Sequence, residues 1–228
     1  ENMGGICLNW GCIPTKALLK AAEVRNAVEN LDEYGMKLNG TIEVDMAAVM
    51  ARSRNVASRL SKGIDHLMRK HNIKVVKSTA SLGMAKGTHR EVVLVDGAVL
   101  MAKDVILATG ARAACPPHIK PDGKRILTYR DALQHVHSIS SVVIVGSGAI
   151  GVEFASFYND MGAKVTLIEM RDQILPVEDA DIAASARKQF EKRGMTIVTG
   201  ASVSAVQARR DGVTVAYEKG GKADRVDC

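Results

Sequence analysis

Apolar positions along the chain recur with two different periods, and each period predicts a different element. After Pro14, which suits the first turn of a helix, Leu18, Ala21, Ala22 and Val28 fall on one face at helical spacing. The glycine-rich stretch before it reads as an irregular opening. A break at Asn39-Gly40 separates this helix from a long amphipathic one whose stripe is Val49, Val56, Leu60, Ile64 and Leu67. Residues 73–76 and 91–95 have the β-branched density of strands, with Gly83 and Gly87 supplying turns between them. A short buried strand at 105–107 runs straight into Ala108-Thr109-Gly110-Ala111, and the polar, proline-bearing CPPHIKPDGKR that follows is a domain boundary. SSVVIVGSGAIGVEFASFYNDMGAKVTLIEM then reads as strand, glycine turn, helix and strand, a βαβ crossover that demands a parallel sheet. A helix at 179–193 ended by Gly194, a third strand in MTIVTG and a hairpin in the tail complete the unit.

Composition narrows the class. With 46% hydrophobic and 25% charged residues the chain has ordinary globular balance, which excludes disordered and collagen-like sequences. A length of 228 residues fits two modest domains, at 1–120 and 121–228. No run approaches eighteen apolar residues, so no membrane span is expected, and ENMGGICLNW lacks the basic start and apolar stretch of a signal peptide. The expected setting is cytoplasmic. The missing initiating Met reads as an internal cut, and the tail's ADRV, echoing the AKDV that leads into a strand and glycine turn at 102–105, reads as a second cut. The net charge of +6 resides in residues 45–77, with eight Lys/Arg against two Asp. A solvated basic helix face explains it, docking to an acidic partner being the alternative. With 4% aromatic residues there is no stacking platform for nucleic acid.

Two motifs carry chemistry. Gly146-Ser147-Gly148-Ala149-Ile150-Gly151 follows a strand and opens a helix, the context in which GxGxxG binds a dinucleotide. The first glycine permits the tight turn, the second lets the backbone approach a pyrophosphate, and the third lets helix and strand pack closely. Eighteen residues past Gly151, Glu169 ends the second strand, where a carboxylate accepts ribose hydroxyls and repels a 2'-phosphate. This favours NAD over NADP, with Arg171 close by. Cys7 and Cys12 form the other motif. In a regular helix they would stand about 140° apart and about 7.5 Å apart along the axis, so either they are unbonded or the turn is distorted. Gly4, Gly5 and Gly11 supply latitude for distortion, and a helix start favours thiolate. A redox disulfide, two metal ligands and two structural thiols all remain open. The nearest histidine, His66, is remote for a zinc site, and no metal is expected.

The sixteen residues GGICLNWGCIPTKALL resemble the active-site segment of the dihydrolipoyl dehydrogenases, flavoenzymes of the pyridine nucleotide-disulfide oxidoreductase family. ILATGAR at 106–112 is similar to that family's second flavin-contacting segment, VVIVGSGAIGVEFASFYNDMGAKVTLIE to its NAD-binding crossover, and ILPVEDADI also fits, most like the bacterial members. The resemblance implies an α/β fold of Rossmann-like FAD- and NAD(P)-binding domains, a parallel sheet with a βαβ crossover plus an antiparallel meander, truncated at both ends. It implies a partial FAD-binding domain at 1–120 and an incomplete NAD-binding domain at 121–228. Cys7 would be the interchange thiol and Cys12 the sulfur facing the flavin, the two forming a redox disulfide. Lys16 would point toward flavin N5 and Glu153 would form its ion pair. Ala80, Thr109, Gly110 and Ala111 would contact FAD, and Val203 would pack against the NAD adenine.

The implied activity is oxidation of dihydrolipoamide, presented on the lipoyl domain of an acyltransferase component of a 2-oxo acid dehydrogenase complex, with FAD and NAD as cofactors. A homodimer is implied for the full-length form. The chain departs from the family in having only six residues before Cys7, with no N-terminal GxGxxG, and no C-terminal His-Glu pair. A related FAD-dependent disulfide or mercuric reductase, and a non-catalytic nucleotide-binding fragment, are the alternatives.

Overall fold

A computed structural model describes residues 2–228. The opening is helical rather than irregular: α1 spans Gly5–Trp10 and α2 spans Cys12–Glu29, separated by Gly11 at φ −139°, ψ −117°. The buried Asn9 amide closes the start of α1 on the carbonyls of Met3 and Gly5, both at 2.9 Å. Pro14 sits in the first turn of α2, where a missing N–H costs no helical bond. A 3-10 turn, Leu31–Tyr34, follows. The long helix α3, Met46–Lys70, starts where the Asp45 carboxylate accepts the Ala48 N–H at 2.9 Å.

The period of α3 is as expected and its phase is not. The buried face is Met46, Met50, Ser53 and Ala57, turned about 60° from the anticipated stripe, and Leu60 and Leu67 stay 40% and 42% exposed. Small Ser53 and Ala57 let α2 and α3 approach closely, and the Ser53 hydroxyl donates to the Pro14 carbonyl at 2.9 Å. The basic face is not wholly solvated, because Arg52 donates to the Ala17 carbonyl and Arg54 to that of Asn9.

Strands β1 (Ala80–Lys86), β2 (His89–Leu94) and β3 (Val99–Ala102) form an antiparallel sheet. Gly87, at φ +61°, makes the β1–β2 turn. Gly83 is not a turn residue. It lies inside β1 where the register slips, and a Cβ there would stand 2.9 Å from Glu91 Cβ. The strands expected at 73–76 and 105–107 are absent: both segments are irregular, and Ile106 and Leu107 are 89% and 68% exposed rather than buried. β-branched composition records propensity, but a strand exists only when another strand takes its backbone groups. None does so for these segments among the described residues.

After α4 (Tyr129–Ala132), opened by a Thr128–Asp131 capping box, the crossover unit forms as expected. β4 (Ser141–Val145), β5 (Lys164–Ile168) and β6 (Thr196–Val198) pair in parallel in that order. They are linked by α5 (Ala149–Asp160) and α6 (Ala180–Lys192), the latter ended by Gly194 at φ +90°. β7 (Ala201–Ala208), β8 (Val213–Lys219) and β9 (Lys222–Asp227) form an antiparallel meander, with Gly220-Gly221 in the tail hairpin.

Alternation along the strands sorts the layers. Val142, Ile144, Val165, Leu167 and Ile197 face α5 and α6 in the first core. Their neighbours Val143, Ile168 and Val198 face the meander in a second core. The first core also takes Leu18, Ala22, Met46 and Met50, so α2 and α3 bury their apolar faces against the crossover unit. The architecture is α/β, with a parallel βαβ sheet and antiparallel sheets. Among the described residues no helix is long and apolar enough to cross a membrane.

Candidate functional site

The glycine turn between β4 and α5 has three distinct steric demands. Gly146 adopts φ +96° and its N–H donates to the Ile168 carbonyl at 2.8 Å. A Cβ on Gly151 would lie 2.0 Å from the Gly146 carbonyl oxygen, so only hydrogen fits. Gly148, the residue before α5, has open space where a Cβ would stand, leaving the backbone bare to a ligand. Ala149 and Ile150 open the helix, with Ile150 56% exposed.

Glu169 lies at the end of β5 and is 7% exposed. One carboxylate oxygen accepts the Ser147 N–H at 2.8 Å and the Ser147 hydroxyl at 2.7 Å; the other accepts the Arg171 N–H at 2.9 Å. Burial pushes the carboxyl up, but the Arg171 and Ser147 donors outweigh it and hold the group below its ordinary range. It is therefore a charged acceptor in a set orientation beside the turn. Leu175, in the left-handed region at φ +47°, donates its N–H to the Ser147 carbonyl at 2.9 Å and braces the turn from behind. Sequence pattern located the glycines and Glu169 but not these braces, which come from loop closure.

The cysteines lie on either side of the α1–α2 break, both exposed and both free thiols. The neighbouring Cys12 side chain, foremost among the causes, pushes the Cys7 thiol above its ordinary value. Among the described residues no group of three His, Cys, Asp or Glu is placed to hold a metal ion.

Lys16, one turn after Cys12, joins Glu153 on α5 at 2.5 Å across 137 residues of chain. The Glu153 bond pushes the Lys16 ammonium above its ordinary value, and both cysteines act on it electrostatically. The helix that carries Cys12 and the helix that opens from the glycine turn are thus joined by this ion pair. The remaining candidates are more scattered. Thr109, Gly110 and Ala111 lie in the exposed irregular stretch after β3, where Gly110 has φ +78° and faces the Ile6 side chain. Ala80 is exposed at the start of β1, whereas Val203 is buried in the second core beneath the meander. A cleft of about 1190 Å³ reaches from Ile6 and Ala111 to Gly148 and Gly151.

The pyridine nucleotide-disulphide oxidoreductase family model matches residues 2–228. A dihydrolipoyl dehydrogenase of Rhizobium etli is 44% identical, covering 99% of this chain and 50% of that protein. One of Zymomonas mobilis is 43% identical over 93% of this chain and 46% of its own length. The crystal structure of LpdA from Mycobacterium tuberculosis superposes with a TM-score of 0.87 at 26% identity, covering 99% of this chain and 49% of that one. The chain spans about half the length of the curated relatives it matches. The GSGAIG turn, the Cys7–Cys12 motif and the match along residues 2–228 agree: this chain belongs to the pyridine nucleotide-disulphide oxidoreductase family.

Proposed function

We propose that the intact protein oxidises dihydrolipoamide with NAD, through a Cys7–Cys12 redox disulfide and FAD. The observation that carries this reading is the Lys16–Glu153 ion pair, which ties the cysteine motif to the helix that opens from the glycine turn. The residues fit both cofactors. Gly148 leaves bare backbone for a pyrophosphate, and the cleft between Ile6 and Gly151 adjoins both motifs. Residues 1–120 serve as part of the FAD-binding domain and 121–228 as the NAD-binding domain.

In the oxidised state a substrate thiolate attacks the Cys7 sulfur, the S–S bond opens, and Cys12 leaves as thiolate. The second substrate thiol then attacks the mixed disulfide and releases Cys7, so substrate loses two electrons and the cysteine pair gains them. The Lys16 ammonium stabilises the sulfur anions beside it, and Glu153 fixes that ammonium in place. FAD supplies the two-electron carrier between thiols and nicotinamide. Lys16, Ala80, Thr109, Gly110 and Ala111 contribute to holding it.

On the NAD side, the backbone N–H groups from Gly148 onward, at the α5 N-terminus, would hold the pyrophosphate. Glu169, its orientation set by Ser147 and Arg171, accepts the ribose hydroxyls and repels a 2'-phosphate. The partner is a lipoyl domain of an acyltransferase component, and the intact protein works as a cytoplasmic homodimer. Turnover of the intact protein with dihydrolipoamide and NAD, against glutathione with NADPH, tests the reading. Efficient NADPH-linked glutathione reduction would favour another reductase of this architecture.

A further inference from the structure

One helix supports the whole cysteine motif. From α3, the Ser61 hydroxyl donates to the Met3 carbonyl at 2.9 Å, Arg54 to that of Asn9 at 2.5 Å, and Ser53 and Arg52 to those of Pro14 and Ala17, each at 2.9 Å. Of these four α3 bonds, that of Arg54 falls on the link between the two cysteines. Asn9 and Trp10 end α1, Gly11 breaks the helix, and Cys12 follows. The Arg54 guanidinium also lies 4.1 Å from the centre of the Trp10 ring, and Arg130, from α4, stands 5.2 Å from the same ring. A carbonyl at a helix C-terminus and an aromatic face are both favourable partners for a cation.

The arrangement has two costs that local stability does not explain. Burial lowers the Arg54 pKa, so its charge is held where desolvation opposes it. The Trp10 indole N–H is buried without a hydrogen-bond partner, which a phenyl ring in its place would avoid. What the contacts accomplish is fixation of residues 9 and 10, which lie between the two cysteines on either side of the helix break.

We propose that Arg54 is a positioning residue for the Cys7–Cys12 pair: by taking the Asn9 carbonyl and the Trp10 face it fixes the link between the two cysteines, and so sets how readily they form a disulfide. This rests on the redox role proposed for the pair. A disulfide tolerates a narrow range of Cα separations, and a slack link dilutes one thiol with respect to the other. Loosening the link therefore makes the disulfide harder to form.

The test equilibrates the intact protein with mixtures of reduced and oxidised dithiothreitol. As the Cys7–Cys12 bond forms, two electrons and the two thiol protons pass to the reagent, whose own disulfide opens. Alkylation and mass analysis then give the fraction of protein bonded at each ratio. Wild type forms the bond, and Arg54→Met needs a buffer about tenfold more oxidising, a rise of about 30 mV in reduction potential. Arg54→Lys, which keeps the charge but not the planar stack, falls between them. Trp10→Phe, which keeps an aromatic face, stays nearer wild type than Trp10→Leu.

Arg52→Met removes an equivalent α3 bond that lies past the link and leaves the equilibrium unchanged. Far-UV circular dichroism monitors folding, and if Arg54→Met does not fold, the Lys and Trp10 variants decide. The proposal is overturned if wild type forms the bond while the Arg54 variants titrate with it, or if Arg52→Met shifts as far as Arg54→Met. Wild-type thiols that stay free at every ratio overturn the redox reading itself, and the proposal with it.

Discussion

Gly151 has the least freedom of any residue in the turn. Its missing side chain accommodates the Gly146 carbonyl, which would otherwise stand 2.0 Å from a Cβ. Gly151→Ala must therefore push α5 off β4, and we expect a loss of about 3 kcal/mol or more in denaturant unfolding together with loss of NADH binding by titration calorimetry. Glu169 sets a pH dependence. Its folded pKa lies below the unfolded value of about 4.5, so its contribution to stability is complete above about pH 4.5 and is lost as pH falls through the folded pKa. Glu169→Gln should flatten that part of the stability–pH curve, and a wild-type slope in the variant would contradict the assignment. Glu169→Arg should move cofactor preference toward NADPH, read as the ratio of kcat/KM values. Spacing alone pointed to Glu169. Its donors were not readable, because the Ser147 hydroxyl meets it only once β4 and β5 lie side by side.

Helix α3 separates period from phase. Any sequence with apolar residues at helical spacing announces a helix, and both α2 and α3 formed where the pattern placed them. Which stripe faces inward depended on where the other helix could come closest, and Ser53 and Ala57 allowed the nearest approach. Met50→Ala should therefore cost about 2–5 kcal/mol in chemical denaturation, whereas Leu60→Ala, on the exposed flank, should cost less than about 1 kcal/mol. Equal costs would mean the anticipated stripe was the buried one after all. The strands failed for a related reason. Residues 105–107 have strand composition, but among the described residues no strand takes up their backbone groups, and Ile106 and Leu107 are exposed.

At the scale of the whole molecule, the first core joins α2 and α3 to α5, β4 and β5, so unfolding should not respect residue 120. Trp10, the single tryptophan, reports from the early part of the chain, and Phe157, fully buried, lies in the later part. Phe157→Ala should shift the Trp10 fluorescence transition and the far-UV circular dichroism transition together, by about 3–5 kcal/mol. Two separated transitions would show that the core is not shared. The sequence by itself determined what short-range physics controls: the helices at 3.6-residue spacing, the βαβ crossover and the glycine turn. All of these follow from periodicity or from backbone conformations that only certain residues allow. Tertiary structure alone decided the rest: the phase of α3, the fate of strand-like segments without a partner among the described residues, and the grip of Arg54 on Asn9 and Trp10. Those depend on which surfaces arrive next to each other, and one-dimensional spacing carries no record of distances across the chain.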